Sequence, residues 1–233
     1  MKFLKVQKLS DGLKPFQSRL VSELVGGKNV LWLVTGGSNI PLSVAVMAQL
    51  PYELTKHLTI MLTDERYGEV EHADSNAFQL ENRGFQPMQA TFIPVLCAGL
   101  SLEKTSQRYG RKFAEAVGQA DVTIGQFGIG ADGHIAGILP GSDAVSSIDW
   151  ACGYNTQQYR RVTLTPTALL RVTAAYAFVF GMDRHPALER LVSTTASIDE
   201  QPAQLLRQLP EAYVYNDHIS AIVSTDDNCK QGV

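Results

Sequence analysis

The sequence contains few cysteines and no long apolar run. Its three cysteines, Cys97, Cys152 and Cys229, lie far apart, and none forms a C-x-x-C pair with another. An odd number of widely spaced cysteines argues against a disulfide framework, and their spacing does not suggest a zinc site. The N-terminus is charged but lacks the apolar run of a secretory signal, and no stretch approaches the ~20 apolar residues that cross a bilayer. These features predict a cytoplasmic protein.

An excess of charge of either sign is also absent. The 233 residues include 20 Lys and Arg against 23 Asp and Glu, which gives a formal net charge of -3. Nucleic-acid-binding proteins usually concentrate positive charge, so we expect neither a nucleic acid nor a membrane as partner. A small anionic ligand is still compatible with this balance, because a few well-placed basic side chains can bind one phosphate. The oligomeric state stays open between a monomer and a small homo-oligomer.

Short apolar runs alternate with amphipathic stretches along the chain. We predict strands at residues 30–35, 58–62, 90–95, 122–127, 161–164, 174–180 and 212–215, and helices at residues 41–50, 101–117, 186–192 and 202–208. Such alternation predicts an α/β fold with a mostly parallel sheet and helices on both faces. Residues 142–159 have weak periodicity and are predicted to form a long loop near the site. We find no repeat or linker, so one domain is expected over residues 1–233.

Three segments that follow predicted strands carry groups suited to chemistry. The first contains Gly36, Gly37 and Ser38, directly after the strand at residues 30–35. Glycines let the backbone approach a ligand closely, and the following helix offers free N–H groups to a phosphate. A plain tight turn explains the same residues, since glycine is the usual turn residue.

The second segment is the charged stretch Asp64, Glu65 and Arg66, followed after a few residues by Ser75 and Asn76. The planar fork of Arg66 suits a phosphate or a developing oxyanion, and either carboxylate could orient it by pairing. A solvated loop of mutually neutralising charges is the alternative. Ser75 or Asn76 is also suited to cap the next helix.

The third segment, residues 128–137, combines four glycines with Asp132 and His134. Histidine titrates near neutrality and can take a proton from water. Asp132 is placed either to orient the ring or to hold the water, and the glycines leave N–H groups free to face an oxyanion. Two alternatives remain: a structural turn with a satisfied histidine, and a metal site whose other ligands are not apparent. A dinucleotide fingerprint fits worse, because the third glycine of that motif is missing at the required spacing.

Taken in order, the three segments resemble the 6-phosphogluconolactonase family, which is sister to the glucosamine-6-phosphate deaminases. The family's signature elements are a Gly-Gly-Ser loop, an Asp-Glu-Arg stretch leading to Ser-Asn, and Gly-x-Gly-x-Asp-Gly-His. All three occur here, together with Arg-Val-Thr-Leu-Thr at residues 161–165 and Gly-Met-Asp-Arg at residues 181–184. The resemblance implies a three-layer α/β fold of the glucosamine-6-phosphate deaminase/ribose-phosphate isomerase type.

The resemblance also implies the reaction, which is hydrolysis of 6-phosphogluconolactone to 6-phosphogluconate in the oxidative pentose phosphate pathway. Neither a cofactor nor a metal is implied. By the resemblance, His134 is the general base that activates water against the lactone carbonyl, and Asp132 supports it. The residues expected to bind the phosphorylated sugar lactone are Gly36, Gly37, Ser38, Asp64, Arg66, Arg161 and Arg184.

The sequence departs from the family's pattern in a few places. Asn39 and Ile40 separate Ser38 from Pro41, whereas the usual pattern has Thr-Pro directly after the serine, so the path of this loop is left open. Arg184 stands where related chains usually carry lysine, which keeps the charge but changes its shape. None of these changes removes the proposed base.

Two other functions compete with the lactonase. The sister deaminases carry Asn-Glu-Pro after Asp-Gly-His and use its glutamate in ring opening, whereas this chain has Ile-Leu-Pro at residues 138–140. Deaminases also tend to show Asp-Glu-Tyr in place of Asp-Glu-Arg. A non-catalytic sugar-phosphate sensor is the second alternative, because a fold does not fix a function. Both Asp132 and His134 are retained, which favours catalysis.

Overall fold

The computed structural model describes residues 1–223, and Cys229 lies outside the described residues. Its strands are β1 (Lys2–Lys5), β2 (Val30–Val34), β3 (Leu58–Leu62), β4 (Asp64–Arg66), β5 (Thr91–Ile93), β6 (Val122–Phe127), β7 (Ala151–Asn155), β8 (Arg160–Leu164), β9 (Ala174–Val179), β10 (Glu211–Asn216) and β11 (Ala221–Ile222). Its helices are α1 (Leu9–Val25), α2 (Ile40–Met47), α3 (Asn76–Asn82), α4 (Leu102–Gln119), α5 (Asp143–Ser146), α6 (Pro166–Leu169) and α7 (His185–Ser193). Short 3₁₀ turns lie at Gly37–Asn39, Tyr52–His57, Met182–Arg184 and Pro202–Gln208.

The main sheet has eight strands in the order β11-β1-β10-β9-β6-β2-β3-β5. All neighbours pair in parallel except β11, which runs antiparallel to β1. Every residue of β2, β6 and β9 is buried, as expected for parallel strands covered on both faces. The prediction of an α/β fold with a mostly parallel sheet is therefore confirmed.

A second, antiparallel sheet of three strands in the order β4-β8-β7 was not predicted. The chain leaves the main sheet after β3 and enters β4 with only Thr63 between them. The strand expected at residues 161–164 does form, as β8, but it belongs to this small sheet. The second sheet carries Arg66 on β4 and Arg161 on β8, two of the residues expected to bind substrate.

The prediction of a long loop at residues 142–159 is wrong. The segment contains α5 and β7, and β7 pairs with β8 along its whole length. The sequence of β7, Ala-Cys-Gly-Tyr-Asn, has no β-branched residue and therefore gives little strand signal. Gly153 is required there by close packing, because a Cβ at this position would lie 2.9 Å from Cγ of Leu102.

The N-terminal elements β1 and α1 were also missed. Helix α1 contains Gly12 and Pro15, both of which disfavour a helix interior. Gly12 lets the helix approach the sheet, since a Cβ there would lie 2.7 Å from the ring of Tyr215. Phe16 then packs its ring 5.7 Å from that of Trp32 on β2. No helix within residues 1–223 is both long and apolar enough to span a membrane.

Candidate active site

The three chemistry-bearing segments meet at one edge of the main sheet. They follow β2, β3 and β6, which are neighbours in the order β6-β2-β3 and run parallel, so their carboxyl ends lie side by side. Open parallel sheets bind ligands at this edge. The juxtaposition expected from the sequence is therefore present.

Asn39 fixes the path of the first loop, which the sequence left open. Its side-chain amide donates hydrogen bonds to the carbonyls of Phe127 at 3.0 Å and Phe178 at 3.3 Å, at the ends of β6 and β9. The residue is 4% exposed. The loop makes a 3₁₀ turn at Gly37–Asn39, and α2 begins at Ile40 with Pro41 in its first turn. The departure from the family's pattern thus adds an anchor between the loop and two strands.

The glycines of the first loop have separate structural reasons. Gly37 adopts φ +67°, a left-handed conformation that favours glycine. Gly36 makes room for Asn76, because a Cβ on Gly36 would lie 2.0 Å from Oδ1 of that side chain. Ser38 is exposed, so its hydroxyl is accessible to a ligand. Asn76 also donates from Nδ2 to the carbonyl of Asp64 at 2.9 Å, so the side chain that packs against Gly36 also holds the second segment together.

Glu65 holds the local structure together through hydrogen bonds. Its buried carboxylate accepts hydrogen bonds from the backbone N–H groups of Arg66, Asn76 and Ala77 at 2.7, 2.6 and 3.0 Å, and from the hydroxyl of Ser75 at 3.0 Å. Burial raises the pKa of Glu65, although these four donors counteract the effect. Glu65 therefore ties β4 to the beginning of α3, where Ser75 caps the helix as expected by accepting from the Phe78 N–H.

Neither carboxylate pairs with Arg66, although the sequence allowed either of them to do so. Asp64 is 5% exposed and pairs instead with Arg161, with 3.0 Å between Oδ2 and Nη1. Arg66 donates from Nη1 to the backbone carbonyl of Asp74 at 2.8 Å, and within residues 1–223 it makes no ion pair. Its positive charge is therefore uncompensated and suited to an anionic ligand.

Arg66 and Arg161 lie directly opposite each other on β4 and β8. Directly opposed side chains project to the same face of an antiparallel pair, and like charges there are destabilising. Proteins keep such an arrangement where it has a use, and two guanidinium groups beside one another suit phosphate or carboxylate oxygens. The placement of the pair at the ligand-binding edge supports its expected contact with substrate.

Asp132 and His134 form a hydrogen-bonded dyad in the third segment. Oδ1 of Asp132 lies 2.6 Å from Nδ1 of His134 and also accepts the backbone N–H of His134 at 3.1 Å. The spacing of two residues allows one oxygen to hold both the ring and the main chain. Burial raises the pKa of Asp132, but the hydrogen bonds and charge of His134 outweigh this and lower it overall.

The dyad defines the tautomer of His134. Because a carboxylate oxygen can only accept a hydrogen bond, the 2.6 Å contact with Oδ1 of Asp132 favours the tautomer with the proton on Nδ1. Nε2 then has a free lone pair, and within the described part of the chain no group is hydrogen-bonded to it. The side chain is 37% exposed. A neutral imidazole with one unpaired ring nitrogen can serve as a general base.

Gly130 creates the space for the His134 ring. A Cβ on Gly130 would lie 2.1 Å from both Cε1 and Nδ1 of His134 and 2.7 Å from Oδ1 of Asp132. The turn is closed by hydrogen bonds from Gly130 N–H to the His134 carbonyl at 3.0 Å and from Gly133 N–H to the Gly130 carbonyl at 2.9 Å. The glycine-rich sequence is thus needed for the dyad itself.

Gly137 joins the third segment to the second sheet. Its N–H donates to Oγ1 of Thr163 at 3.1 Å, and its carbonyl accepts the hydroxyl of Tyr154. A Cβ on Gly137 would lie 2.7 Å from Cβ of Asp64, so this contact also requires glycine. The loop that carries His134 therefore packs on the sheet face that holds the Asp64–Arg161 pair.

Arg184 follows β9, on the other side of β6 from the first loop. Its Nη1 donates to the carbonyl of Phe180 at 2.6 Å and lies 3.4 Å from Oδ1 of Asp183. Along the sheet edge, the loop after β2 therefore has Arg184 on one side and Arg66 on the other. Within residues 1–223, no cluster of three or more His, Cys, Asp and Glu is arranged to hold a metal ion.

Sequence reasoning missed Asn39 as an anchor and overlooked Tyr159 altogether. The ring of Tyr159 lies against both Arg66 and Arg161. The sequence signal for it is weak, because a single tyrosine in a polar segment has no motif around it. Tyr159 reaches Arg66 because the pairing of β4 with β8 places Arg66 opposite Arg161, two residues after Tyr159.

A parallel α/β sheet with an Asp–His dyad and arginines at its carboxyl edge is typical of an enzyme acting on a small anionic molecule. A family model described as glucosamine-6-phosphate isomerases/6-phosphogluconolactonase matches residues 13–214. The chain therefore belongs to this family, as its sequence motifs predicted.

Known proteins similar to this chain include both branches of the family. A 6-phosphogluconolactonase of Xylella fastidiosa (strain Temecula1) is 24% identical over 216 residues, covering 85% of this chain and 86% of that protein. The crystal structure of a 6-phosphogluconolactonase from Shewanella baltica has a TM-score of 0.77 at 20% identity, covering 92% of this chain and 97% of that chain. A monomeric glucosamine-6-phosphate deaminase has a TM-score of 0.75 at 19% identity, with 93% and 97% covered. The two structural similarities show the shared fold and do not separate the two activities.

Proposed function

We propose that this chain is a 6-phosphogluconolactonase that hydrolyses 6-phosphogluconolactone to 6-phosphogluconate, with His134 as general base. The observation that carries the proposal is the 2.6 Å contact between Asp132 and His134, which leaves Nε2 of the ring free and accessible. The curated relative from Xylella fastidiosa, which the chain matches over most of its length, bears the name 6-phosphogluconolactonase. The reaction belongs to the oxidative pentose phosphate pathway.

In the proposed reaction, Nε2 of His134 takes a proton from water as the water oxygen attacks the lactone carbonyl. The resulting imidazolium is stabilised by the Asp132 carboxylate through Nδ1–H. The tetrahedral intermediate collapses with cleavage of the ring C–O bond, and the imidazolium returns the proton to the leaving oxygen. One water is consumed, and the product carries a new hydroxyl and a new carboxylic acid, which releases its proton to solvent and becomes a carboxylate.

The phosphate is proposed to lie near the loop after β2, with the arginines around it. Gly36 and Gly37 let the backbone approach, Ser38 offers an exposed hydroxyl, and the N-terminus of α2 favours an anion. Arg66 has no ion-pair partner within residues 1–223 and is assigned to substrate charge. Arg161 and Arg184 are also proposed to bind the charge of the substrate. Asp64 contributes by holding Arg161 in an ion pair.

The deaminase activity is less well supported. The sister deaminases use a glutamate shortly after the Asp-Gly-His motif, and the corresponding residues here are Ile138 and Leu139. Asp132 is the one carboxylate hydrogen-bonded to His134 within the described residues. Without a second carboxylate, the site lacks the group that works with the histidine in sugar ring opening.

The test offers the purified protein both substrates in the presence of a chelator. With freshly made 6-phosphogluconolactone, 6-phosphogluconate formation is followed with a coupled dehydrogenase, and with glucosamine 6-phosphate, ammonia release is measured. We expect acceleration of lactone opening above the spontaneous rate and no ammonia. Ammonia release with no effect on the lactone would assign the chain to the deaminases, and no turnover of either would favour the sensor.

Substitution of Arg66 tests the proposed substrate contact. We expect Arg66→Ala to lower kcat/KM by ~10- to 100-fold, because a charge-assisted hydrogen bond contributes about 1.5–3 kcal/mol. Steady-state kinetics with 6-phosphogluconolactone provide the measurement. Arg83→Ala is the matched control, since Arg83 is exposed at the end of α3. Equal kinetics for the two variants would remove Arg66 from the site.

The proposal extends to the whole of residues 1–233 as one sugar-phosphate hydrolase domain. A cytoplasmic location is part of it, supported by cysteine usage, since Cys97 and Cys152 are both free thiols. We propose no nucleic acid or membrane partner, in agreement with the balanced charge of the sequence. Sedimentation would decide between a monomer and a small homo-oligomer.

A further inference from the structure

Tyr159 contacts both arginines of the second sheet. The centre of its ring lies 5.4 Å from Cζ of Arg66 and 5.6 Å from Cζ of Arg161. Both distances are within the range of favourable cation–π interaction. One aromatic ring therefore contacts two guanidinium groups that are directly opposed in the β4–β8 pair.

The two arginines need the contact with the Tyr159 ring, because carboxylates of the described residues do not balance both of their positive charges. Asp64 pairs with Arg161, whereas Arg66 makes no ion pair within residues 1–223. The Nε atoms of both arginines are buried and have no hydrogen-bond partner in the described part of the chain. The electron-rich face of a tyrosine attracts cations without neutralising them. The two arginines can thus be held close together while their charge remains available to a ligand.

Tyr159 is itself held rigidly. It lies in the turn that joins β7 to β8, where its carbonyl accepts hydrogen bonds from the N–H and the hydroxyl of Thr156, both at 2.8 Å. The Thr156 hydroxyl also accepts the Tyr159 N–H at 2.9 Å. These three hydrogen bonds hold the backbone of the turn from which the ring projects. Tyr159 therefore has the properties of a positioning residue for Arg66 and Arg161.

We propose that Tyr159 determines specificity for the phosphorylated substrate by setting the position of the two guanidinium groups. This inference rests on the proposed function, because it assigns the arginines to the phosphate-bearing lactone. The ring acts through the arginines and does not contact the reacting atoms. Its removal weakens recognition of the charged substrate and leaves the chemistry at His134 unchanged.

The test compares Tyr159→Leu and Tyr159→Phe on 6-phosphogluconolactone and on gluconolactone without the phosphate. We expect Tyr159→Leu to raise KM for the phosphorylated substrate about tenfold with kcat within about twofold, because without the ring both guanidinium groups must be ordered when the substrate binds. Its kcat/KM on the unphosphorylated lactone stays at the wild-type value. Tyr159→Phe keeps the ring and restores the wild-type KM.

The control variant is Arg160→Gln. Arg160 makes the same kind of contact one position away, with Cζ 4.7 Å from the ring centre of Tyr67, and its side chain is exposed. We expect its kinetics to match the wild type. An unchanged KM in Tyr159→Leu would overturn the proposal, and so would an equal loss on both lactones, which would indicate stacking of the ring on the sugar.

A binding measurement separates failure of this inference from failure of the proposed function. Calorimetric titration with 6-phosphogluconate needs no turnover, and we expect about tenfold weaker binding to Tyr159→Leu than to Tyr159→Phe. Equal binding by the two variants overturns the role of Tyr159 even if the wild type is a lactonase. Weaker binding to Tyr159→Leu than to Tyr159→Phe, in a protein without lactonase activity, would support the role of Tyr159 and contradict the proposed reaction.

Discussion

Replacement of His134 by alanine is expected to lower kcat for 6-phosphogluconolactone by ~10²- to 10⁴-fold, the usual contribution of a general base. The variant loses the nitrogen proposed to take the proton from water, while the arginines and the loop after β2 remain. KM is therefore expected to stay within about twofold, because ground-state binding does not depend on the base. The measurement is steady-state hydrolysis, corrected for the spontaneous rate.

His57→Ala is the matched control for this substitution. His57 precedes β3 and lies at the opposite end of the strand from the site, so its imidazole takes no part in the reaction. We expect wild-type kcat and KM for this variant. Turnover by His134→Ala at a rate close to that of His57→Ala would remove His134 from the mechanism.

Gly130→Ala is expected to lower kcat by ~10²-fold without changing the fold, since a displacement of about 1 Å in a catalytic group has an effect of this size. The added Cβ would lie 2.1 Å from Nδ1 of His134 and 2.7 Å from Oδ1 of Asp132, so the ring must move. Gly130 does not have a positive φ, and alanine can adopt its backbone conformation. The ring is partly exposed and can swing into solvent at little cost in stability.

Thermal unfolding separates this effect from misfolding. We expect the melting temperature of Gly130→Ala to stay near that of the wild type. Gly118→Ala on α4, whose new Cβ has no atom within 4 Å, is the control and is expected to melt slightly higher, because alanine favours a helix over glycine. Activity is expected to fall in the first variant and to persist in the second. Wild-type turnover by Gly130→Ala would show that the reaction does not need the observed position of the ring.

The main sheet could be predicted from the sequence because its strands carry strong local signals. β2 reads Val-Leu-Trp-Leu-Val and β3 reads Leu-Thr-Ile-Met-Leu, and both were predicted with correct starting residues. The location of the site followed from the same strands, since parallel strands end at a common edge. The dyad was predictable because Asp132 and His134 are only two residues apart and lie between glycines.

The second sheet could not be predicted because its strands depend on tertiary contacts. β4 has three residues, all charged, and β7 is rich in small residues, so neither has the apolar alternation of a typical strand. The pairing of Arg161 with Asp64 spans 97 residues of sequence. The sequence also allowed Arg66 to pair with an adjacent carboxylate. That pair does not form, because the Glu65 carboxylate is buried against the start of α3 and accepts hydrogen bonds there.

The most direct test of the assignment of His134 is rescue of His134→Ala by added imidazole. The His134 side chain is 37% exposed, so the space left by its removal is open to a small base from solvent. We expect the rate of 6-phosphogluconate formation by the variant to rise with imidazole concentration, above the rate of enzyme-free imidazole solutions. A variant rate equal to the enzyme-free rate at every imidazole concentration would contradict the role of His134 as the base that activates water.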